Sequence, residues 1–235
     1  ARIQSTHTYV ESAIEMIAHR AGLVGDGSTV ADYCRAEKLC YVTMNRNHPL
    51  VREHIKAGGT AMVLEHGING NMITLYDDHG HNIPLLWTHL IPATLEGRAL
   101  HNVQNAMFAA ALAFHMGLDL ENIRHGLRTF DSTFFQAPGR TNIYDEHPFK
   151  VILDYAHNPA AVKTMSDLVS RLGEHGRKIL VLAAPGDRRD EDIRDIELAA
   201  AGHYDVYFCR QDDRPRGRQP GEVPEMLRAA MLEAG

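Results

Sequence analysis

The sequence predicts an α/β protein whose C-terminal part contains a mainly parallel sheet. From about residue 150 onward, three short apolar runs alternate with three segments that have the period of a helix. Such alternation is typical of parallel strands joined by right-handed helical crossovers. The composition is that of an ordinary globular chain, with 44% hydrophobic and 23% charged residues among 235.

The first 90 residues are predicted to contain mostly strands with short connections. An amphipathic helix is predicted at Val10–Arg20, and GDGST at 25–29 is typical of a loop. Four strands and one short helix are then expected: KLCYVTM, the helix HPLVREHIKAG, TAMVLEHG, NMITLYD and HNIPLLW.

Two helices follow these strands. HNVQNAMFAAALAFHMG, residues 101–117, is rich in good helix formers and ends at a glycine. LENIRHGLRTF is the second helix. The next stretch, DSTFFQAPGR at 131–140, predicts a domain boundary, so we expect one domain at 1–136 and another at 137–235.

The second domain is predicted to repeat strand and helix three times. Its strands are KVILDYA, KILVLAAPGD and DVYFCRQDD, the first of them buried. Its helices are PAAVKTMSDLVSRLG, EDIRDIELAAAG and PGEVPEMLRAAMLEAG.

Charge, cysteine usage and hydropathy exclude several classes of function. A formal net charge of −6 argues against nucleic-acid binding, which needs a basic surface. The three cysteines form no CxxC pair and the fifteen histidines form no HExxH motif, so we expect no transition-metal site. With no apolar run of about 20 residues and no signal peptide, a cytoplasmic protein is expected, without a membrane partner.

Polar runs follow each of the last three strands: DYAHNP (154–159), PGDRRDED (185–192) and DDRPRGR (212–218). Ligands of open α/β sheets bind beyond the carboxyl ends of the strands. Any single run could be a solvated turn. Three on one edge, two with paired arginines, favour a site for an anionic substrate or phosphate.

Two shorter patterns are ambiguous by themselves. Asn102 and Asn105 lie three residues apart near a helix N-terminus and could bind an adenine edge. Spacing alone favours Asn102 as a helix cap. Likewise, Pro138-Gly139-Arg140 reads as a turn with a surface arginine.

Taken in order, LEGRALHNVQNAMFAA, APGR and LDYAHNPAA resemble the second half of the Mur ligase superfamily. NHPLVREHIKAGG, APGDRRDEDIR and DDRPRGRQPGE resemble its cyanophycin synthetase branch, from about Lys38 to the end. The resemblance implies a partial Mur-type central ATPase domain at 1–136. It also implies a Rossmann-like C-terminal lid domain at 137–235.

The resemblance also implies roles for particular residues. The cofactor-binding set would be His101, Asn102 and Asn105 at the adenine, Arg140 at the nucleotide and Asp154 at the ribose. The catalytic set would be His157, Asn158 and Arg140. The substrate-binding set, on the side of the incoming amino acid, would be Asp187, Arg188, Arg189, Asp213 and Arg216.

The implied activity is that of an ATP-dependent carboxylate–amine ligase. It would join arginine to the aspartate side-chain carboxylate of a poly-aspartate backbone through an acyl phosphate. The expected cofactors are ATP and Mg²⁺, with the magnesium ligands mostly upstream. The expected partners are ATP, arginine, an acidic polymer or dipeptide, and further copies of the chain.

One motif of the superfamily is missing. The chain contains no GxxxxGK[ST] phosphate-binding loop, so we expect that it does not hydrolyse ATP alone. A non-catalytic nucleotide-binding or assembly module is therefore an alternative. So is a ligase of the peptidoglycan or folate type, which DDRPRGRQPGE argues against. A guanidinium pocket could be built from Asp187, Asp190, Asp212 or Asp213, and the sequence does not choose among them.

Overall fold

The computed structural model describes residues 40–173 and 176–234. These residues fall into two compact units that divide between Asp131 and Ser132. The division lies at the start of the 131–140 stretch, five residues before the boundary expected from the sequence. The helix predicted at Val10–Arg20 and the GDGST loop lie outside the described residues.

The first unit is a four-stranded sheet with helices on both faces. In the order β1-β2-β3-β4, β1 pairs with β2 in parallel and the other pairs are antiparallel. Its elements are β1 (Tyr41–Thr43), α1 (Pro49–Lys56), β2 (Ala61–Gly67), β3 (Gly70–Tyr76), β4 (Asn82–Trp87), 3-10 turns at Thr88–Leu90 and Pro92–Thr94, α2 (Leu100–His115) and α3 (Leu120–Thr129). The predicted strands and helices of this region are thus confirmed to within a few residues.

Side chains that alternate along β2 separate two cores. Met62 and Leu64 point to one face and pack in a cluster with Val103 and Met107 of α2. Ala61 and Val63 point to the other face and pack near α1. This follows from the two-residue period of a strand, which sends successive side chains to opposite faces.

The second unit contains two separate strand pairs and three helices. An antiparallel pair joins β5 to β6, and a parallel pair joins β7 to β8. The elements are β5 (Asn142–Tyr144), β6 (Val151–Leu153), α4 (Pro159–Leu172), β7 (Ile179–Leu182), α5 (Asp190–Leu198), β8 (Val206–Cys209) and α6 (Glu222–Ala234). The α/β class is confirmed, as is the parallel pairing of the last two strands.

The prediction for KVILDYA, the run that contains β6, was wrong in two ways. Among the described residues, β6 pairs with β5 and not with β7 or β8. It is also not fully buried, since Val151 is 38% exposed and Leu153 45%. The reason is the two-stranded ribbon, which leaves one face of β6 without a covering layer.

The core of the second unit lies on one face of β7 and β8. Leu182 of β7 packs with Ile193 and Ile196 of α5 and with Val223 and Leu227 of α6. Among the described residues, no helix is long and apolar enough to cross a membrane.

Candidate functional site

The N-terminus of α2 holds the asparagines that the sequence singled out. The helix begins at Leu100 with Ala99 as its N-cap, and no side chain caps it. Asn102 is therefore inside the helix, and its amide donates to the carbonyl of Ala93 at 2.7 Å. The capping interpretation of Asn102 was wrong, because the helix starts two residues before it.

Asn105 lies one turn further along and bonds to Asn102. Its Nδ2 donates to Oδ1 of Asn102 at 3.2 Å. Asn102 is half-buried and Asn105 exposed, and partly buried His101 precedes them. The two amides thus form a fixed pair at the helix surface, in which Asn102 also ties α2 to the preceding 3-10 turn.

Arg140 follows a turn that is braced from within the second unit. Oδ1 of Asn142 accepts from the amide of Gly139 at 2.7 Å, and its Nδ2 donates to the carbonyls of Ser132 and Ala137 at 2.6 and 2.9 Å. Gly139 has φ +68°, a conformation that favours glycine. Asn142 is 1% exposed, so the turn rests on a buried side chain.

The side chain of Arg140 extends from this turn toward Tyr155. It is exposed, and its Cζ lies 5.8 Å from the centre of the Tyr155 ring. A second link joins these segments, since the Tyr155 amide donates to the Gly139 carbonyl at 2.8 Å. The geometry holds a guanidinium over an aromatic ring with its donors available to an anion.

Asp154 is held by Thr141, a residue that the sequence analysis did not single out. Oδ2 of Asp154 accepts from the amide of Thr141 at 2.9 Å and from its hydroxyl at 3.2 Å. Thr141 is buried and has φ +52°, which is rare for a β-branched residue. Such strain is typical of functional sites and costs roughly 1–3 kcal/mol.

The DYAHNP segment leads from β6 into α4. The ring nitrogen Nδ1 of His157 lies 2.9 Å from the Tyr155 carbonyl. Asn158 is the N-cap of α4, where its Oδ1 accepts from the amide of Ala161 at 2.9 Å, and Pro159 occupies the first helical turn. His157 and Asn158 are therefore fixed by backbone contacts close to Asp154.

The loop after β7 and the loop after β8 meet at the carboxyl ends of these two parallel strands. The sequence predicted this meeting for the polar runs PGDRRDED and DDRPRGR. Arg216 contacts both oxygens of Asp187 at 3.3 Å, and its Nε lies 3.8 Å from Asp212. Arg216 has φ +50°. This pair joins one loop to the other through partly exposed groups.

Most of the remaining candidate side chains in these loops are committed to neighbours. Arg189 donates to Asp192 at 2.9 and 3.0 Å, and these bonds lower the pKa of Asp192. Asp213 accepts from Arg210 at 2.7 Å. Arg188 is exposed, and its guanidinium makes no hydrogen bond or ion pair with a described residue.

The acidic residues that could form a guanidinium pocket already hold arginines of this chain. Arg216 contacts Asp187 and Asp212, while Arg218 holds Asp190 and Arg210 holds Asp213. A guanidinium ligand would have to replace one of these arginines. The pairs of Arg216, at 3.3 and 3.8 Å, are the longest of the four.

Arg218 is a residue that the sequence reasoning missed. It is buried deeper than the other loop arginines, and from the loop after β8 it bonds to the loop after β7 and to the start of α5. The signal was present in the sequence, since DDRPRGR contains three arginines, but composition alone could not show which of them points inward. Within the described residues no group of three or more His, Cys, Asp or Glu could hold a metal ion.

Comparison with known proteins shows which family the second unit matches. Residues 139–234 match the family described as Mur ligase, glutamate ligase domain. Cyanophycin synthetase of a Nostoc species is 39% identical over 189 residues, which are 80% of this chain and 20% of that protein. The Synechocystis enzyme is 34% identical over 210 residues, 88% of this chain and 23% of its own length.

Two other ligases also match the chain. UDP-N-acetylmuramoyl-L-alanyl-D-glutamate–2,6-diaminopimelate ligase of Corynebacterium efficiens is 32% identical over 176 residues, 74% of this chain and 30% of that protein. UDP-N-acetylmuramate-alanine ligase of Thermotoga maritima superposes with a TM-score of 0.49 at 18% identity, over 89% of this chain and 46% of that one.

The chain spans about a fifth of the length of the cyanophycin synthetases that it matches. The match covers both described units, and the glutamate ligase family covers nearly all of the second. Residues 139–234 therefore belong to the Mur ligase family, and the chain is homologous over most of its length to one part of the cyanophycin synthetases.

Proposed function

We propose that the chain is part of an ATP-dependent amide ligase of the cyanophycin synthetase type. In this reaction arginine is joined to the aspartate side-chain carboxylate of a poly-aspartate backbone. One observation carries the proposal, namely identity of 34–39% with cyanophycin synthetases over 80–88% of the chain. The loops after β7 and β8 carry the aspartate and arginine side chains that would be needed to bind such a charged substrate.

The nucleotide side of the proposal rests on two groups of residues. In the second unit, exposed Arg140 offers donors for a phosphate. Asp154 uses Oδ2 to hold Thr141, which leaves Oδ1 to accept from a ribose hydroxyl. In the first unit, His101 and the Asn102–Asn105 pair offer amide and ring groups that suit an adenine edge. Each group, taken within its own unit, offers donors and acceptors of the kind that a nucleotide requires.

ATP, when bound, supplies the phosphoryl group that converts the carboxylate into an acyl phosphate. The chain's own residues then act by position and charge. The Tyr155 carbonyl beside Nδ1 fixes the ring of His157, so Nε2 is the nitrogen that can exchange a proton. Asn158 uses Oδ1 to cap α4, so its amide remains a donor for a developing oxyanion. We assign no magnesium ligand to the described residues.

The amino-acid side of the proposal lies in the loops after β7 and β8. The exposed guanidinium of Arg188, which makes no hydrogen bond or ion pair with a described residue, suits the carboxylate of an incoming amino acid. Asp187, Arg189, Asp213 and Arg216 complete the proposed substrate-binding set. Asp187 and Arg216 are the partly exposed members that bridge the loops, with 56% and 40% of their side chains exposed.

The test follows ADP release by the complete protein that carries this chain, with Mg-ATP and a cyanophycin primer. Three substrate sets are compared: aspartate plus arginine, β-aspartyl-arginine, and a peptidoglycan precursor with its amino acid. Turnover with aspartate plus arginine supports the joining of arginine to the aspartate side chain. Turnover with β-aspartyl-arginine alone supports a cyanophycin-forming ligase that adds the preformed dipeptide instead. Turnover with the third alone supports a peptidoglycan-type ligase instead.

Two further outcomes bear on the alternatives. A folded complete protein that is silent with all three sets supports a non-catalytic module. The 235-residue chain alone is expected to release no ADP above a blank, because it has no GxxxxGK[ST] loop to hold the phosphates. ATP turnover by the isolated chain would refute that expectation.

A further inference from the structure

Among the side chains of the loops after β7 and β8, Arg218 makes the most hydrogen bonds from one loop to the other loop and the start of α5. Its Nε donates to the carbonyl of Gly186 at 3.1 Å, and its Nη2 donates to the carbonyl of Arg188 at 2.9 Å and to Asp190 at 2.6 Å. Its Nη1 donates to Glu222 at 2.7 Å. The bonds to Glu222 and Asp190 raise the pKa of Arg218, and the bond from Arg218 lowers the pKa of Glu222. All three nitrogens of the guanidinium are thus directed at the protein.

The two loops are in direct contact at the same place. A Cβ built on Gly186 would overlap the carbonyl oxygen of Pro215 and press on the stem of Arg218. The amide of Arg218 donates to that same carbonyl at 3.1 Å. No residue with a Cβ atom fits at position 186 unless the two loops separate.

The side chains proposed to meet the substrate flank this contact. Asp187 and Arg188 follow Gly186 directly, and Arg216 lies between Pro215 and Arg218. The side chain of Arg218 is 19% exposed, whereas those of Asp187 and Arg216 are 56% and 40% exposed. The bonds of Arg218 to carboxylates, at 2.6 and 2.7 Å, are also shorter than the 3.3 Å contacts of Arg216.

We infer that Arg218 is a positioning residue for the amino-acid substrate. It fixes the distance between Asp187 and Arg188 on one loop and Arg216 on the other, without contacting the substrate itself. The inference rests on the proposed function, because it assigns the substrate to these loops. A planar guanidinium with its donors in a fixed fork can hold several acceptors at once, which an ammonium cannot do.

The expected consequence is selective for one substrate. Groups that bind a substrate lose about 100-fold in efficiency when they are displaced by roughly 1 Å. We therefore expect Arg218→Lys and Arg218→Ala to raise the KM for the amine substrate about tenfold or more. The KM for ATP should stay near the wild-type value, since Arg140 and Asp154 do not depend on this contact.

Two further variants separate positioning from charge and from general stability. Gly186→Ala leaves every charge in place and should raise the same KM, because the new methyl group pushes Pro215 away. Arg194→Ala is the matched control. It removes an ion pair with Glu233, at 2.8 Å, that also joins α5 to α6 but lies away from the loops. It should leave both KM values unchanged.

The experiment uses the complete protein and whichever amine substrate the wild type accepts, with folding checked by circular dichroism. A raised amine KM in Arg218→Lys and Gly186→Ala, with ATP KM retained, supports the inference. A fall in kcat alone, or equal changes in both KM values, overturns it in favour of a merely structural role. If Arg218→Ala fails to fold, the lysine and Gly186 variants decide the matter.

Hydrogen exchange gives a readout that does not depend on activity. The amides of 185–190 and 211–222 should exchange faster in Arg218→Lys and Gly186→Ala but not in Arg194→Ala. Unchanged exchange in both loops would refute the coupling. A wild type that is inactive with every substrate set means instead that the proposed function, and with it the substrate role of Arg218, has failed.

Discussion

Glu197 of α5 carries a prediction about how pH controls the stability of the second unit. Its side chain is 0% exposed, and neither carboxylate oxygen has a hydrogen-bond partner among the described residues. Burial raises the pKa of Glu197 to about 7 from an ordinary 4.5. The folded state therefore keeps a proton on Glu197 over a range of pH in which the unfolded chain has lost it.

The sign and size of the effect follow from this difference. Between about pH 4.5 and pH 7 the folded state binds more protons at Glu197 than the unfolded state does. The free energy of unfolding therefore falls as the pH rises through this range. A shift of this size corresponds to about 3–4 kcal/mol at most, since each pKa unit is worth about 1.4 kcal/mol. Relaxation of the protein and penetration of water around a buried charge reduce such values, so we expect roughly 1–3 kcal/mol.

The perturbation is Glu197→Met, which keeps a similar volume and removes the charge. The free energy of unfolding of the variant minus that of the wild type should be roughly 1–3 kcal/mol larger at pH 8 than at pH 5. The assay is urea unfolding followed by far-UV circular dichroism at pH 5, 6, 7 and 8. Glu225→Met, an exposed position on α6, is the control and should show no such trend.

A stability difference between wild type and Glu197→Met that is the same at pH 5 and pH 8 would refute the reasoning. So would a difference that shrinks as pH rises, because that would mean the carboxylate is stabilised by an unrecognised partner.

Three further predictions concern packing, capping and the nucleotide site. Gly59→Ala should destabilise the first unit by about 1–3 kcal/mol, because a Cβ there would overlap the fully buried imidazole of His54. Gly126→Ala, in open space within α3, should stabilise it by about 0.5–1 kcal/mol, and thermal melting compares the two. Asn158→Ala should cost about 1 kcal/mol by removing the N-cap of α4, whereas Asn158→Asp should retain the cap, as measured by urea unfolding. Arg140→Ala should raise the KM for ATP about tenfold or more in the complete protein while its melting temperature stays the same, since the side chain is exposed.

Each of these predictions has an outcome that would contradict it. Equal melting temperatures for the two glycine variants would mean that His54 moves without cost. If Asn158→Asp loses as much stability to urea as Asn158→Ala, the cap is not what Asn158 contributes to folding. An unchanged ATP KM in Arg140→Ala would remove that residue from the nucleotide site.

The sequence by itself determined the class of fold and the order of its elements. Strand and helix periods in 40–130 and 178–234 predicted most of the elements, because side-chain alternation and helical spacing are local properties of the chain. Motif strings such as DYAHNP and DDRPRGR indicated the superfamily, and comparison with its members supports it. Polar runs after apolar strands also placed the loops of Asp187 and Arg216 on one edge.

Only the tertiary structure decided which side chains meet. The pairing of β6 with β5 depends on contacts between segments, and the apolar run KVILDYA reads the same whether one face of the strand is covered or both. Three arginines in DDRPRGR are alike in sequence, yet Arg218 is enclosed by two loops and Arg216 is not. The buried carboxylate of Glu197 and the backbone strain at Thr141 are likewise set by neighbours distant along the chain, whose effect no local pattern records.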